Sequence, residues 1–130
     1  MRLSGPLLDR MDLTIEVQPL APAELARAPD GETTAVVAAR VAAARERQRA
    51  RGPSRCNAEA EWDSLRATAE AEALTLLETA ATRLRLSTRG QVRALRVGRT
   101  IADLAGAPRV ARTHVAEALA FRHRMPGRAG

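Results

Sequence analysis

A chain of 130 residues with 45% apolar content suits a single domain, and with Trp62 and Phe121 as its only aromatic residues the core must be aliphatic, which favours packed helices over a β-sandwich. All 21 basic residues are arginine, so no lysine is available for a Walker A loop, and the chain cannot hold ATP by that device. Cys56 stands alone, His114 and His123 have no thiol or carboxylate at ligand spacing, and no signal peptide or membrane-length apolar run occurs. No disulfide, no metal site and no membrane partner are therefore expected, and a soluble, cytoplasmic protein is.

The net charge of +6 is unevenly spread. Residues 1 to 39 carry three arginines against six acids, 40 to 55 six against one, 57 to 82 one against six, and 83 to 130 eleven against two. Two basic blocks thus flank an acidic one, a pattern that serves solvated helix faces, phosphate, nucleic acid or an acidic neighbour.

In chain order, "SGPLLDRMDL" (Ser4 to Leu13) places a turn-forming Gly-Pro pair, a short apolar run and an Asp-Arg-x-Asp cluster at the start, which reads as the middle of something larger. Leu13 to Val17 alternates apolar and polar residues as a half-buried strand does, although a lone strand needs a sheet that the rest of the chain does not supply. Pro19, Pro22 and Pro29 mark an extended connector with one helical turn at Ala23 to Ala28. A long helix follows from Glu32 to about Arg51, capped at Thr33 or Thr34, with an apolar stripe of Val36, Val37, Val41 and Ala44. Arg45, Arg47, Arg49 and Arg51 suit its carboxyl end, where the helix dipole favours cations, and Gly52-Pro53 stops it.

After the loop "RCNAEAEW", a short turn is expected around Trp62 and Leu65. A second helix spans Glu70 to Leu84, a third opens at Ser87 and runs to Leu104, and a fourth runs from Arg112 to His123, burying Val115, Leu119 and Phe121. The expected fold is mainly α: a long connector helix plus a small bundle of about four helices, with a residual N-terminal strand segment.

The third helix carries the most informative arginine. Ser87 as N-cap places Arg89 in the first turn, where the positive end of the dipole disfavours a cation, so an anion is expected nearby. At ~100° per residue, Arg89, Arg93 and Arg96 share one face, while Val92, Leu95, Ile101 and Ala102 turn to the other. A competing reading pairs these arginines with Glu70, Glu72 and Glu78.

Four segments, "SGPLLDRMDLTIEV", "RCNAE", "STRGQVRALRVGRTIADLAG" and "VARTHVAEALAFR", occur in the order of the C-terminal part of Mg-chelatase-like AAA+ ATPases. The chain resembles the ComM (YifB) competence-protein branch of that family, which is related to the magnesium chelatase ATPase subunit. The resemblance implies that residues 1–20 are the tail end of an AAA+ core, 21–56 a connector with the long helix, and 57–130 a lid-type helical domain. It implies Arg10 as an arginine finger acting in trans and Arg89 as the sensor-2 arginine. Arg93, Arg96, Arg99, Arg45 and Arg49 become candidate DNA or subunit contacts. The resemblance also implies ATP and Mg²⁺ for a full-length protein but no cofactor in this chain, an upstream core and neighbouring subunits in a hexamer as partners, and single-stranded or branched DNA as the remodelled substrate. The alternatives are a free-standing helical DNA-binding module with the third helix as its recognition helix, the lid of a true magnesium chelatase subunit, and a protein-interaction bundle; for Arg10 itself the competing reading is a pair with Asp9 or Asp12.

Overall fold

The computed structural model describes residues 6–7, 10–27, 31–52 and 56–122. Its helices are α1 (Pro22–Arg27), α2 (Thr34–Arg51), α3 (Trp62–Ala67), α4 (Ala71–Arg83), α5 (Thr88–Ala105) and α6 (Arg112–Ala120), with a 3₁₀ turn at Asn57–Glu59. The mainly helical class expected from composition is the one observed. His123, given to the last helix by its sequence pattern, lies outside the described residues, as do Asp9 and Pro53.

Helix α5 organises the rest, packing against α6, α2, α3, α4 and the 3₁₀ turn. Its apolar face supplies Leu95 and Ala102, both fully buried, to a core shared with Leu65, Ala73, Leu77, Val110 and Val115. Small residues let these helices approach closely. A Cβ on Gly98 would lie 3.4 Å from Val110 Cγ1 and 3.7 Å from Val115 Cγ2 of α6, so the α5 backbone runs within ordinary contact distance of both side chains. The ends of α5 follow from local chemistry: Ser87 Oγ accepts from the Gly90 N–H at 3.0 Å, and Gly106, at φ 74°, takes the left-handed cap conformation. Between α3 and α4, and before α6, the chain forms one isolated parallel bridge, Ala69 to Val110, closed by Glu70 N–H to Val110 O and Val110 N–H to Thr68 O, each 2.9 Å.

Two sequence expectations need correction. No strand forms at residues 13–17; the segment is extended but has no ladder, and Leu13, Ile15 and Val17 are exposed at 51%, 66% and 83%. The alternation is real, but a strand requires a partner edge, and the described residues offer none. The apolar stripe of α2 also fails over most of its length: Val36, Val37 and Val41 are exposed, and only Ala44 and Gln48 of this helix are buried. What attaches α2 to the bundle is its C-terminal end, where Arg47 Nη1 donates to the Asp103 carbonyl at 2.9 Å and Arg51 donates to the Asp103 carboxylate.

Candidate functional site

The first turn of α5 and the segment around residue 10 come together in an open cleft of about 570 Å³. Arg10, Asp12, Thr88, Arg89, Val92, Arg93 and Arg96 line it. The two residues with implied nucleotide roles, Arg10 and Arg89, are 79 positions apart in sequence and share this one concavity. Both are exposed.

Each arginine reaches the cleft for a local reason. Ser87 caps α5, so Arg89 falls at its second helical position beside unpaired backbone N–H groups. Arg93 lies one turn further on, half-buried, and its Nη1 donates to the Met11 carbonyl at 2.7 Å. Arg96, also half-buried, donates through Nε to the Ala60 carbonyl at 3.1 Å. On the opposite wall a turn bond from the Arg10 N–H to the Leu7 carbonyl, 3.1 Å, shapes the backbone that presents Arg10.

Electrostatically the cleft is an anion acceptor. Among the described residues that line it, four carry a guanidinium and one, Asp12, a carboxylate, and the positive end of the α5 dipole adds to the positive charge. The ion pairs among the described residues are Arg40–Glu32, Arg49–Glu46, Arg51–Asp103 and Arg99–Asp103, so Glu70, Glu72 and Glu78 do not neutralise this face. Nor does Asp12 form an ion pair with Arg10. An arrangement of this kind offers charge-assisted hydrogen bonds to phosphate oxygens, with a planar donor fork at each site.

The remaining candidates separate. Arg45 and Arg49 lie on the exposed face of α2, with Arg45 donating to Gln48 and Arg49 paired with Glu46. Arg99 requires a correction, because it is 1% exposed and cannot serve as a surface contact. Its Nη2 donates to Asp103 Oδ1 and to the Ala107 carbonyl, each at 3.0 Å, and its Nη1 to the carbonyls of Thr68 and Pro108. The guanidinium thus fastens the end of α5 to the bridge region.

Asp103, which the sequence reading did not single out, is the centre of that arrangement. Fully buried, it accepts from Arg51 at 2.7 and 2.8 Å, from Arg99 at 3.0 Å and from Asn57 Nδ2 at 2.9 Å. Burial pushes its carboxyl pKa upward, but the hydrogen bonds from Arg51 and Asn57 and the charges of Arg99 and Arg51 outweigh that and hold it below its ordinary value. Burial in turn pulls the Arg99 pKa down, against the opposing charge of Asp103. The signal that could have found this pair is its spacing: Arg99 and Asp103 are one helical turn apart. Thr88 was likewise missed as a cleft residue, although its place beside the N-cap implies it, and Val92, assigned to the opposite face of the helix, lines the cleft too, since four residues place it about 40° from Arg96.

Among the described residues, no group of three or more His, Cys, Asp or Glu side chains could hold a metal ion, and no helix is long and apolar enough to cross a membrane.

Comparison with known proteins adds family information. Residues 31–122 match the family model of the magnesium chelatase subunit ChlI C-terminal domain. The chain is 43% identical over 127 residues to the competence protein ComM of Haemophilus influenzae, covering 93% of this chain and 24% of that protein. It is 40% identical over 124 residues to the uncharacterized protein YifB of Escherichia coli, with the same shares covered. An uncharacterized protein of Mycobacterium tuberculosis is 44% identical over 127 residues, covering 93% of this chain and 25% of that protein. The chain therefore spans about a quarter of the length of the curated relatives it matches.

Proposed function

The chain belongs to the family of the magnesium chelatase ChlI C-terminal domain, in its ComM/YifB branch, and from that premise we propose that it acts as the helical lid of an AAA+ ATPase. In this reading Arg10 is an arginine finger and Arg89 a sensor-2 arginine, both directed at the γ-phosphate of ATP bound by an upstream core or a neighbouring subunit. The observation that carries the proposal is the convergence of Arg10 and Arg89 in one cationic cleft at the N-terminus of α5.

The chain's residues fit the anionic end of a nucleotide: guanidiniums match phosphate oxygens in geometry and charge. ATP, with Mg²⁺ as its counter-ion, would supply the phosphoryl group whose transfer releases free energy. What this chain contributes is positive charge, Arg10 and Arg89 placed where negative charge grows on the transferring group. The bundle around Leu95 and Asp103 keeps the first turn of α5 fixed while subunits move. A hexamer of such subunits, coupling hydrolysis to remodelling of single-stranded or branched DNA, is the assembly this role fits. Arg45 and Arg49 are not among the described residues that line the cleft; their contacts are to Gln48 and Glu46 on their own helix.

The test is ATP hydrolysis by a full-length protein carrying this chain. Arg10→Ala is expected to lower turnover by on the order of a thousandfold, the loss typical of an arginine finger, with ATP binding retained. Hydrolysis that survived both Arg10→Ala and Arg89→Ala in normally assembled subunits would overturn the proposal.

A further inference from the structure

Residues 11–14 should not stay where they are on apolar grounds. Met11, Leu13 and Ile15 are exposed at 38%, 51% and 66%, and the segment has no sheet to join. An extended stretch of this kind gives up backbone entropy when ordered and recovers little by burial. Two polar ties hold it instead. Arg93 Nη1 donates to the Met11 carbonyl at 2.7 Å, and the Thr14 N–H donates to the carbonyl of Phe121, the C-cap of α6, also at 2.7 Å. One tie is to α5 and the other to α6, which pack on each other through Gly98.

Arg93 is thus set apart from its neighbours on the basic face. Arg89 is exposed in the cleft, and Arg96 spends Nε on the Ala60 carbonyl of its own bundle. Arg93 alone of the three donates to the segment that carries Arg10. Its acceptor there is a main-chain carbonyl, so the bond sets position and neutralises no charge. Among the described residues, no other α5 side chain donates a hydrogen bond to residues 10–14.

We propose that Arg93 is a positioning residue: by holding the Met11 carbonyl it keeps Arg10 on the same body as Arg89, so that the two guanidiniums reach one phosphate group together. This inference rests on the phosphate reading of the cleft for its purpose, but the clasp itself can be tested without any ligand.

The experiment is amide hydrogen exchange by NMR on this chain, unaltered and as Arg93→Ala, Arg93→Lys and Arg96→Ala. The Thr14 amide is expected to be protected in the unaltered chain, to exchange about tenfold faster in Arg93→Ala, and to regain part of its protection in Arg93→Lys, whose ammonium still donates to a carbonyl. Arg96→Ala should leave it unchanged. The amides of Leu77 and Leu95 report whether each variant remains folded, and Arg93→Lys, the milder change, carries the test if Arg93→Ala does not. Titration of the same proteins with tripolyphosphate then separates the two ideas. Loss of Thr14 protection with no phosphate binding in any variant would keep the clasp and remove the phosphate reading. An unprotected Thr14 amide in the unaltered chain, or one indifferent to Arg93→Ala and Arg93→Lys, would overturn the clasp.

Discussion

Arg51 and Asp103, 52 residues apart, meet through two hydrogen bonds of 2.7 and 2.8 Å that join the end of the long helix to the helix bearing the cleft arginines. The carboxylate is fully buried, whereas Arg51 remains about a quarter exposed. Removing the carboxylate should therefore cost more than removing a surface pair. Asp103→Ala leaves Arg99 buried without a counter-charge and is expected to destabilise the fold by about 3–5 kcal/mol, read by urea denaturation. A loss no larger than that of an exposed ion pair would contradict the central place given to Asp103.

The same residue makes stability depend on pH. Because its folded pKa is lowered, its contribution is complete above the unfolded carboxyl pKa, about 4, and disappears as pH falls through the lower folded value. The difference in urea midpoint between the unaltered chain and Asp103→Asn should be constant from about pH 5 to pH 7 and should narrow below about pH 4. A difference that grew on acidification would have the wrong sign.

Helix caps give a comparison within one molecule. Ser87 Oγ accepts from the Gly90 N–H at 3.0 Å and Thr33 Oγ1 from the Val36 N–H at 3.2 Å. The first cap opens a helix packed on the core; the second opens a helix end that buries nothing. Ser87→Ala should cost about 1 kcal/mol of global stability, whereas Thr33→Ala should fray α2 and leave the unfolding midpoint unmoved. Circular dichroism and denaturation together separate the two.

At the end of α4, Arg85 holds φ 53°, the left-handed region that favours glycine, while Leu86 N–H returns to the Ala81 carbonyl at 3.0 Å. Its side chain is exposed, so little packing is at stake. Arg85→Gly is expected to stabilise the chain by roughly 0.5–1 kcal/mol, measured by thermal or urea unfolding. Destabilisation would mean that the arginine side chain matters more than its backbone.

Much of this architecture was legible in the residues. Ser87 and Gly106 mark the ends of α5, and the split between Arg89, Arg93 and Arg96 and the buried Leu95 and Ala102 follows from helical periodicity. Arg89 stands out locally, by its place in the first turn of α5, whereas Arg10 could be singled out only through a resemblance, since nothing local says that two residues so far apart share a cleft. Where the reading failed, the cause was tertiary. Leu13 to Val17 has the alternation of a strand but no partner edge, and Val36, Val37 and Val41 have the spacing of a core face but nothing packed on them. Arg99 looks like its neighbours on a basic helix until Asp103 and three main-chain carbonyls draw it inward. Asn57, within the segment "RCNAE", belongs to the same interior group, donating to Asp103 and to Thr100 Oγ1.

The central claim is that Arg10 and Arg89 form one phosphate-binding cleft, and the direct measurement is calorimetric titration of this chain with tripolyphosphate at low salt. Binding is expected, with Arg10→Ala and Arg89→Ala each weakening it by about tenfold, close to 1.4 kcal/mol, and with Arg45→Ala and Arg49→Ala leaving it unchanged. Binding that ignored Arg10 and Arg89, or that fell instead with Arg45 and Arg49, would contradict the account.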